Sequence, residues 1–262
     1  MIKALVFDWA GTTIDYGCFS PLGAFVLAFK EFGLDLSLED ARKPMGMLKR
    51  DHTIALLEMP HIREQFVKKH RRELREDDVD KIYQSFEDNI FTSLKDYVDL
   101  NPYVLQTVQF LRDKNIKIGS TTGYTKKMMD LILPLASQKG YEVDCCVSSD
   151  ELGYGRPYPY MMYECARRLN VYPQSTIVKV GDTPVDMQEG KNAGCMSIGL
   201  VLGSSTLGLS REEVERGENL EALKNKARVT LYEAGADVVI DDLSFLPEAL
   251  EALEKKMRRE IC

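Results

Sequence analysis

The sequence predicts an α/β fold: a doubly wound, Rossmann-like parallel sheet that carries an inserted all-helical cap domain. Short apolar runs, typical of parallel strands buried on both faces, alternate with amphipathic helical stretches. Between about residues 17 and 100 this alternation stops, and segments rich in Glu, Lys, Arg and Leu follow one another. The predicted strands cover residues 2–7, 116–122, 143–149, 176–182, 195–201 and 236–241.

The insert follows the first strand directly. Its predicted helices cover residues 21–32, 38–43, 45–57, 62–72 and 77–97, with prolines at 44 and 60 separating them. A helical block after the first strand's carboxyl end lies over the crevice where open α/β sheets bind ligands. We therefore expect a catalytic core of residues 1–16 and 101–262, and a helical cap of residues 17–100. A last helix is predicted over residues 244–259.

Composition excludes several classes of partner. The 34 Lys and Arg residues against 41 Asp and Glu give a net charge of −7, which argues against binding to nucleic acid or an anionic membrane. No apolar run approaches the roughly 18 residues of a membrane span, and the amino terminus reaches an acid too early for a signal peptide. A cytoplasmic protein is expected. The six cysteines form no CxxC pair and are interpreted as reduced thiols.

Three carboxylates follow predicted strands. Asp8 ends the first strand and precedes small residues (WAGTT), where the backbone can turn under a ligand. Asp182 and Asp186 lie four apart in GDTPVD, after the fourth strand. An Asp in such a place often only caps a helix or forms a turn. Three of them at one sheet edge predict a nucleophile, Asp8, beside a hard-oxygen site suited to Mg²⁺.

Two loops offer partners for a phosphoryl group. STTG, at the end of the second strand, presents Thr122 with the exposed amides around Gly123. GYGRPYP presents Arg156 as a fixed cation. Taken alone, each residue is more simply explained as a turn threonine or a surface arginine, but their order along the chain is much more specific.

These four segments resemble the motifs of the haloacid dehalogenase superfamily of aspartyl phosphotransferases. FDWAGTT is similar to the first motif with Asp8 as nucleophile, and STTG to the second with Thr122. GRPYP resembles the third, with Arg156 in place of the usual lysine, and GDTPVD the fourth, with Asp182 and Asp186.

One position departs from the superfamily pattern. Most phosphatases of the superfamily carry a second aspartate two residues after the nucleophile, where it acts as general acid and base. Here that residue is Ala10. Without this acid, ordinary phosphomonoester hydrolysis is disfavoured.

A lysine in the insert suggests another route. Met45, Lys49, His52 and Leu56 are spaced to share one face of a predicted helix, and that face is otherwise apolar. Desolvation disfavours a charged lysine there, and a neutral amine can condense with a carbonyl. Lys49 could equally snorkel to water. His52, one turn away, could move protons or be a hydrogen-bonded helix histidine, whereas the histidines at 61 and 70 are interpreted as surface residues.

FDWAGTTIDYGCF, ARKPMGMLKRDH, the Arg156 motif and GDTPVDMQEGKNAG together resemble the phosphonoacetaldehyde hydrolase family, whose cap lysine matches Lys49. The resemblance implies hydrolysis of phosphonoacetaldehyde to acetaldehyde and phosphate, in the degradation of 2-aminoethylphosphonate, by a Mg²⁺-dependent homodimer. Lys49 would form an imine with the aldehyde and Asp8 would accept the phosphoryl group.

The remaining roles follow from the same resemblance. Asp8, Asp182 and the Ala10 carbonyl would hold Mg²⁺, with Asp186 in support. Arg156 and Thr122 would stabilise phosphoryl charge. The residues expected to contact the substrate are Cys18, Met45, Gly46, Gly123 and Tyr124.

Two other functions remain open at this point. The first is a Mg²⁺-dependent phosphatase or phosphomutase of the same superfamily, which would need an acid to replace Ala10. The second is a catalytically silent binding or scaffold protein on this fold, but it would be expected to lose Asp8, Arg156 or the Asp182–Asp186 pair, and all are retained.

Overall fold

The computed structural model describes residues 1–261, with side chains through residue 258; Cys262, one of the six cysteines, lies outside the described residues. Its centre is one six-stranded sheet, ordered β3-β2-β1-β4-β5-β6, in which all neighbours are parallel. Each strand lies within its predicted range, so the predicted fold class is confirmed. The strands are β1 Ala4–Phe7, β2 Lys117–Thr122, β3 Cys145–Ser148, β4 Ile177–Gly181, β5 Met196–Leu200 and β6 Val238–Ile240.

Helices cover both faces of the sheet and fill the insert. Five of them lie between β1 and β2: α1 Phe19–Glu31, α2 Leu38–Arg42, α3 Lys49–Leu57, α4 Pro60–His70 and α5 Glu76–Ser93. The others alternate with the later strands or follow them: α6 Val104–Asp113, α7 Lys126–Gln138, α8 Tyr160–Leu169, α9 Pro184–Asn192, α10 Arg211–Arg216, α11 Leu220–Glu233 and α12 Leu246–Ile261. Within residues 1–261 we find no helix with the length and apolar character that a membrane crossing requires.

Strand β1 occupies the middle of the sheet and is buried on both faces. Ala4 and Val6 point to one side, where they pack in a cluster with Met161 of α8. Leu5 and Phe7 point to the other side and join the largest apolar cluster. This alternation follows from the two-residue period of a strand, and it explains why β1 reads as a continuous apolar run.

The helices of the insert pack around an aromatic stack. Phe25 of α1 lies with its ring centroid 4.1 Å from that of Phe86 of α5 and 4.0 Å from that of His52 of α3. All three side chains are buried. Phe25 and Phe86 belong to the same apolar cluster as Leu5 and Phe7, so the core of the insert is continuous with that of the sheet.

One predicted helix is shorter than expected. The segment over residues 45–57 is helical only from Lys49, because Gly46 adopts a φ of 90°, a left-handed conformation that ends regular helix. The prediction that Met45 shares a helix face with Lys49 and His52 is therefore wrong. Similarly, the segment over residues 77–97 is α-helical only to Ser93 and continues as a 3₁₀ turn.

The two chain crossings between the sheet and the insert lie side by side. Ile14 pairs with Leu100 in an antiparallel bridge. The amide of Asn101 donates to the Thr13 carbonyl at 2.8 Å, and its side-chain Nδ2 donates to the Thr12 carbonyl at 3.1 Å. The outgoing and returning segments, which we call the paired linkers (residues 12–16 and 99–101), are thus bonded to each other.

Asp15 begins α1 from within these linkers. Its Oδ1 accepts the Phe19 amide at 2.9 Å and its Oδ2 accepts the Ser20 amide at 3.0 Å, satisfying two donors at the helix start. Burial raises the pKa of Asp15 to about 6, although these amides and the charges of Arg42 and Lys49 oppose the shift. The folded state therefore holds this proton more tightly than the unfolded chain.

We expect stability to fall as this carboxyl ionises. The pKa of Asp15 is higher in the folded state (about 6) than its ordinary value of 3.8. Its contribution to the free energy of unfolding is therefore complete below pH 3.8 and is lost as the pH rises through 6. The loss amounts to about 3 kcal/mol. Urea unfolding from pH 4 to 7 should show the wild type losing this much relative to Asp15→Asn. A difference between the two proteins that does not vary with pH would contradict the assignment.

Candidate active site

A small cavity of about 20 Å³ lies between the carboxyl edge of the sheet and the insert. It brings together most of the residues that the sequence singled out, from six separate parts of the chain. Thr183 is the one lining residue that sequence analysis did not name. The lining comprises Asp8, Ala10, Cys18, Met45, Gly46, Lys49, Thr122, Gly123, Tyr124, Arg156 and Thr183.

Asp8 stands where β1 ends. Its amide donates to the Val180 carbonyl of β4 at 2.9 Å, and its own carbonyl accepts the Thr13 hydroxyl at 3.1 Å, so the backbone is fixed on both sides. Its Oδ1 lies 2.7 Å from Nη2 of Arg156. Burial raises the pKa of Asp8, and the arginine charge opposes that shift. One carboxylate oxygen is thus held by a cation, beside the cavity.

Asp8, Asp182 and Asp186 form a group that could hold a metal ion, since one carboxylate oxygen of each lies within 4.8 Å of the others. Asp182 accepts the Thr12 hydroxyl at 2.9 Å and the Ser205 amide at 2.7 Å. Burial and the charge of Asp8 raise the pKa of Asp182 well above its usual range. A divalent cation would offset this repulsion, and carboxylate oxygens are its preferred ligands.

Asp186 has a different environment from the other two carboxylates. Its Oδ1 lies 3.0 Å from Nη1 of Arg156 and 3.0 Å from Nζ of Lys179, while its Oδ2 accepts the Thr183 hydroxyl at 2.5 Å. Burial alone would raise its pKa, but the two cations outweigh burial and hold the pKa below its ordinary value. Its carboxylate is therefore committed to protein groups, which suits a supporting role.

The loop after β2 meets the insert directly. Thr122 Oγ1 accepts the Tyr124 amide at 3.1 Å, which fixes the turn around Gly123. A Cβ at Gly123 would lie 2.6 Å from the Met47 carbonyl oxygen of the insert. Only glycine allows this approach, so the insert's loop lies directly against the turn around Gly123.

Arg156 is fully buried and its guanidinium is bonded on every side. Besides Asp8 and Asp186, it contacts Glu189 Oε2 through Nε at 3.0 Å and the Thr121 carbonyl through Nη2 at 2.7 Å. Burial opposes its charge, but the three carboxylates outweigh burial and raise its pKa. A lysine could not satisfy acceptors in so many directions, which gives a reason for arginine in this motif.

Sequence analysis missed Lys179 and Glu189, whose side chains are both completely buried. Their Nζ and Oε2 atoms lie 3.0 Å apart. Two signals could have found them. Lys179 interrupts the apolar run of β4, where a lysine cannot reach water, and Glu189 lies three residues after Asp186, on the same face of α9.

Lys49 is the first residue of α3 and only 3% of it is exposed. Its Nζ lies 4.0 Å from the Met45 sulfur and 5.3 Å from the centroid of the Tyr124 ring. Among the described residues we find no ion pair to this amine. Burial lowers the pKa of Lys49. An unpaired lysine with a lowered pKa is suited to act as a nucleophilic amine.

His52 is not among the residues that line the cavity. Its Nε2 donates to the Ala41 carbonyl at 2.9 Å, and its ring stacks on Phe25. Burial, together with the charge of Lys49, lowers its pKa well below the usual range. It is therefore a neutral imidazole whose Nδ1 has no hydrogen-bond partner.

Cys18 and Tyr124 also line the cavity. Cys18 precedes α1 with a φ of 56°, and burial raises the pKa of its thiol. Burial also raises the pKa of Tyr124 well above its usual value. Both side chains are thus neutral. The five described cysteines, at 18, 145, 146, 165 and 195, are free thiols, as predicted.

Known proteins resemble this chain over most of its length. Residues 2–194 match the haloacid dehalogenase-like hydrolase family. The chain is 47% identical to a phosphonoacetaldehyde hydrolase of Bacillus cytotoxicus, over 97% of each chain. It is 46% identical to a bifunctional phosphonoacetaldehyde hydrolase/aminoethylphosphonate transaminase of Clostridioides difficile, of which it spans 40%. A solved phosphonoacetaldehyde hydrolase-like protein of Oleispira antarctica superposes with a TM-score of 0.95 at 30% identity, covering 98% of this chain and 94% of that one. The chain belongs to the phosphonoacetaldehyde hydrolase family of haloacid dehalogenase-like hydrolases.

Proposed function

We propose that this protein hydrolyses the carbon–phosphorus bond of phosphonoacetaldehyde, giving acetaldehyde and phosphate. The observation that carries the proposal is that Lys49, buried and without an ion pair, lines the same cavity as Asp8, while position 10 offers an alanine in place of an acid. The site thus has an amine for the aldehyde and a carboxylate for the phosphorus. It has no side-chain acid at the position that phosphatases use.

The first half of the reaction joins both residues to the substrate. The neutral amine of Lys49 attacks the aldehyde carbon. The resulting carbinolamine loses water and gives an imine, which is then protonated. Asp8 forms an oxygen–phosphorus bond as the carbon–phosphorus bond breaks, and that bonding pair moves into the iminium to give a neutral enamine. No carbanion is released, so the leaving group needs no acid at position 10.

The second half releases the products. Water attacks phosphorus, which frees phosphate and restores the Asp8 carboxylate. The enamine takes a proton at carbon, and a second water hydrolyses the imine to acetaldehyde and the Lys49 amine. The proton-transfer role expected of His52 is not part of this proposal, because its ring stacks on Phe25, its Nε2 donates to the Ala41 carbonyl and its side chain does not line the cavity.

The remaining site residues would bind the metal ion and the substrate and stabilise the charge of the phosphoryl group. Asp8, Asp182 and the Ala10 carbonyl would hold Mg²⁺, supported by Asp186. When bound, the ion neutralises negative charge on the phosphoryl oxygens. The positive charge of Arg156 and the hydroxyl of Thr122 would stabilise the same oxygens. The residues that contact the substrate are Cys18, Met45, Gly46, Gly123 and Tyr124.

The size of the cavity implies movement. About 20 Å³ is room for roughly one water molecule, so substrate can enter only if the insert moves away from the sheet edge. Residues 17–100 would therefore act as a separate cap domain on a core of residues 1–16 and 101–262. We further propose a cytoplasmic homodimer that serves the degradation of 2-aminoethylphosphonate, since the C. difficile relative joins this activity to an aminoethylphosphonate transaminase.

We expect strong discrimination against phosphate monoesters. A general acid contributes roughly a hundredfold or more when the leaving group is an alkoxide, and Ala10 cannot supply one. The wild type should therefore show kcat/KM at least about a hundredfold lower for a sugar phosphate than for phosphonoacetaldehyde. The measurement is phosphate release from both substrates with and without Mg²⁺.

The matched variant is Ala10→Asp. A carboxylate there would pair with the Lys49 ammonium, raise its pKa and slow imine formation, so phosphonate activity should fall. If the wild type instead hydrolyses a sugar phosphate as well as phosphonoacetaldehyde, the protein is a phosphatase and this proposal is wrong.

A further inference from the structure

The guanidinium of Arg156 is held by a residue that does not line the cavity, Glu189. Its Nη2 points to Asp8 at 2.7 Å, whereas its Nε donates to Glu189 Oε2 at 3.0 Å. A guanidinium is planar, so fixing Nε and one terminal nitrogen fixes the direction of every N–H bond. Glu189 therefore determines how Arg156 faces the phosphoryl position without lining the cavity itself.

Glu189 is in turn held by two buried groups. Its Oε2 lies 3.0 Å from Nζ of Lys179 and accepts the Thr121 hydroxyl at 3.0 Å. Lys179 donates to Thr121 Oγ1 at 2.7 Å and lies 3.0 Å from Asp186 Oδ1. The ammonium, although fully buried, thus donates one hydrogen bond and lies in ion-pair contact with two carboxylates.

The groups that hold Arg156 lie on strands and a helix of the core. Lys179 lies in the middle of β4, Thr121 in β2, and Glu189 on α9, which packs against β4. Arg156, by contrast, is carried by a loop. Arg156, which lies on a loop, is therefore held in place by side chains from two strands and a helix.

We propose that Glu189 is a positioning residue for phosphoryl transfer, which aligns the Arg156 guanidinium with the phosphoryl group on Asp8, and that Lys179 anchors Glu189. The proposal rests on the proposed function. Its specific content is that Glu189 acts on the transfer step and not on capture of the aldehyde, since neither Glu189 nor Lys179 lines the cavity that holds Lys49.

The test uses Glu189→Gln, which keeps the side chain's shape and removes its charge. The Gln oxygen can still accept from Nε, but the bond is no longer charge-assisted, and the amide nitrogen would occupy the place of Oε1, which has no partner. We expect kcat for phosphonoacetaldehyde to fall by about tenfold to a hundredfold while KM stays within about threefold. Borohydride trapping of the Lys49 imine at saturating substrate should be undiminished.

Glu151→Gln is the matched control. Glu151 also joins an arginine, with Oε2 2.8 Å from Arg168 Nη2, but it lies outside the site. It should lose no kcat. The proposal is overturned if Glu189→Gln retains wild-type kcat, or if imine trapping falls in the same proportion as kcat, because a general structural defect affects both.

A double variant separates positioning from charge balance. Lys179→Met combined with Glu189→Met removes the buried pair together and leaves neither charge alone. We expect the double variant to fold and to remain slow in kcat, since Arg156 is still unaligned. Recovery of wild-type kcat would mean that Glu189 only neutralises Lys179. This variant also decides the question if Glu189→Gln proves too unstable to purify.

One readout is independent of substrate. The Nε–H proton of Arg156, identified in NMR spectra by its loss in Arg156→Lys, should move upfield in Glu189→Gln as its charged acceptor is lost. An unchanged resonance would overturn the proposal. If the wild type fails to hydrolyse phosphonoacetaldehyde, the proposed function fails, and this measurement still tests the alignment of Arg156.

Discussion

Asp8→Asn should lower turnover of phosphonoacetaldehyde by about 10⁴-fold or more, the scale seen when an enzyme loses its nucleophile. An amide cannot form the acyl phosphate. The substitution also removes one negative charge from the three carboxylates that could hold a metal ion. The measurement is kcat from acetaldehyde and phosphate release, with protein purified from a host that lacks the activity.

The fold of Asp8→Asn should be intact. Arg156 loses one carboxylate partner but keeps Asp186 and Glu189, each at 3.0 Å. Because burial disfavours a charged Asp8, removing that charge costs little stability. Circular dichroism and the melting temperature should stay close to those of a control, Asp80→Asn, at a residue of the insert whose side chain is 58% exposed. Substantial activity in a clean Asp8→Asn preparation would rule out Asp8 as the nucleophile.

Lys49→Arg should be inactive to a similar extent, by about 10⁴-fold, because an arginine keeps the positive charge but cannot form the imine. Borohydride added during turnover should inactivate the wild type and leave one alkylated peptide, which contains Lys49. Mass spectrometry of the digested protein identifies the labelled residue.

Lys43 provides the control for this experiment. It lies in the same stretch of the insert, but its side chain is 58% exposed and paired with Asp40 at 2.7 Å. An ammonium in water stays protonated, so Lys43 should take no label and Lys43→Met should retain full activity. Labelling at Lys43, or trapping that also occurs in Lys49→Arg, would remove Lys49 from the mechanism.

The sequence was sufficient for the sheet and for most of the cavity, because both depend on local patterns. Parallel strands buried on both faces read as apolar runs, and strand ends carry the motifs with Asp8, Thr122 and Asp182. Since parallel strands end at one edge of a sheet, residues at those ends are brought together by the topology alone.

Other features depend on contacts across the fold and could not be predicted in this way. The pairing of Lys179 with Glu189 joins a strand to a helix, and neither residue carries a motif. Helical spacing placed Met45 on α3, but the left-handed turn at Gly46 interrupts the helix. His52 has the spacing of a cavity residue, yet it stacks on Phe25, a contact that periodicity does not reveal.

The paired linkers have a consequence for engineering this enzyme. Because a bridge joins Ile14 to Leu100, we expect the two crossings to act as one short hinge if the insert moves relative to the sheet. With such a hinge, opening would cost little conformational freedom, and each closure would return Lys49 to the cavity that it shares with Asp8. Lengthening either crossing alone would break the bridge, and the insert would then close in several different positions relative to the sheet. An insert exchanged from a relative should therefore be transferred with both crossings intact.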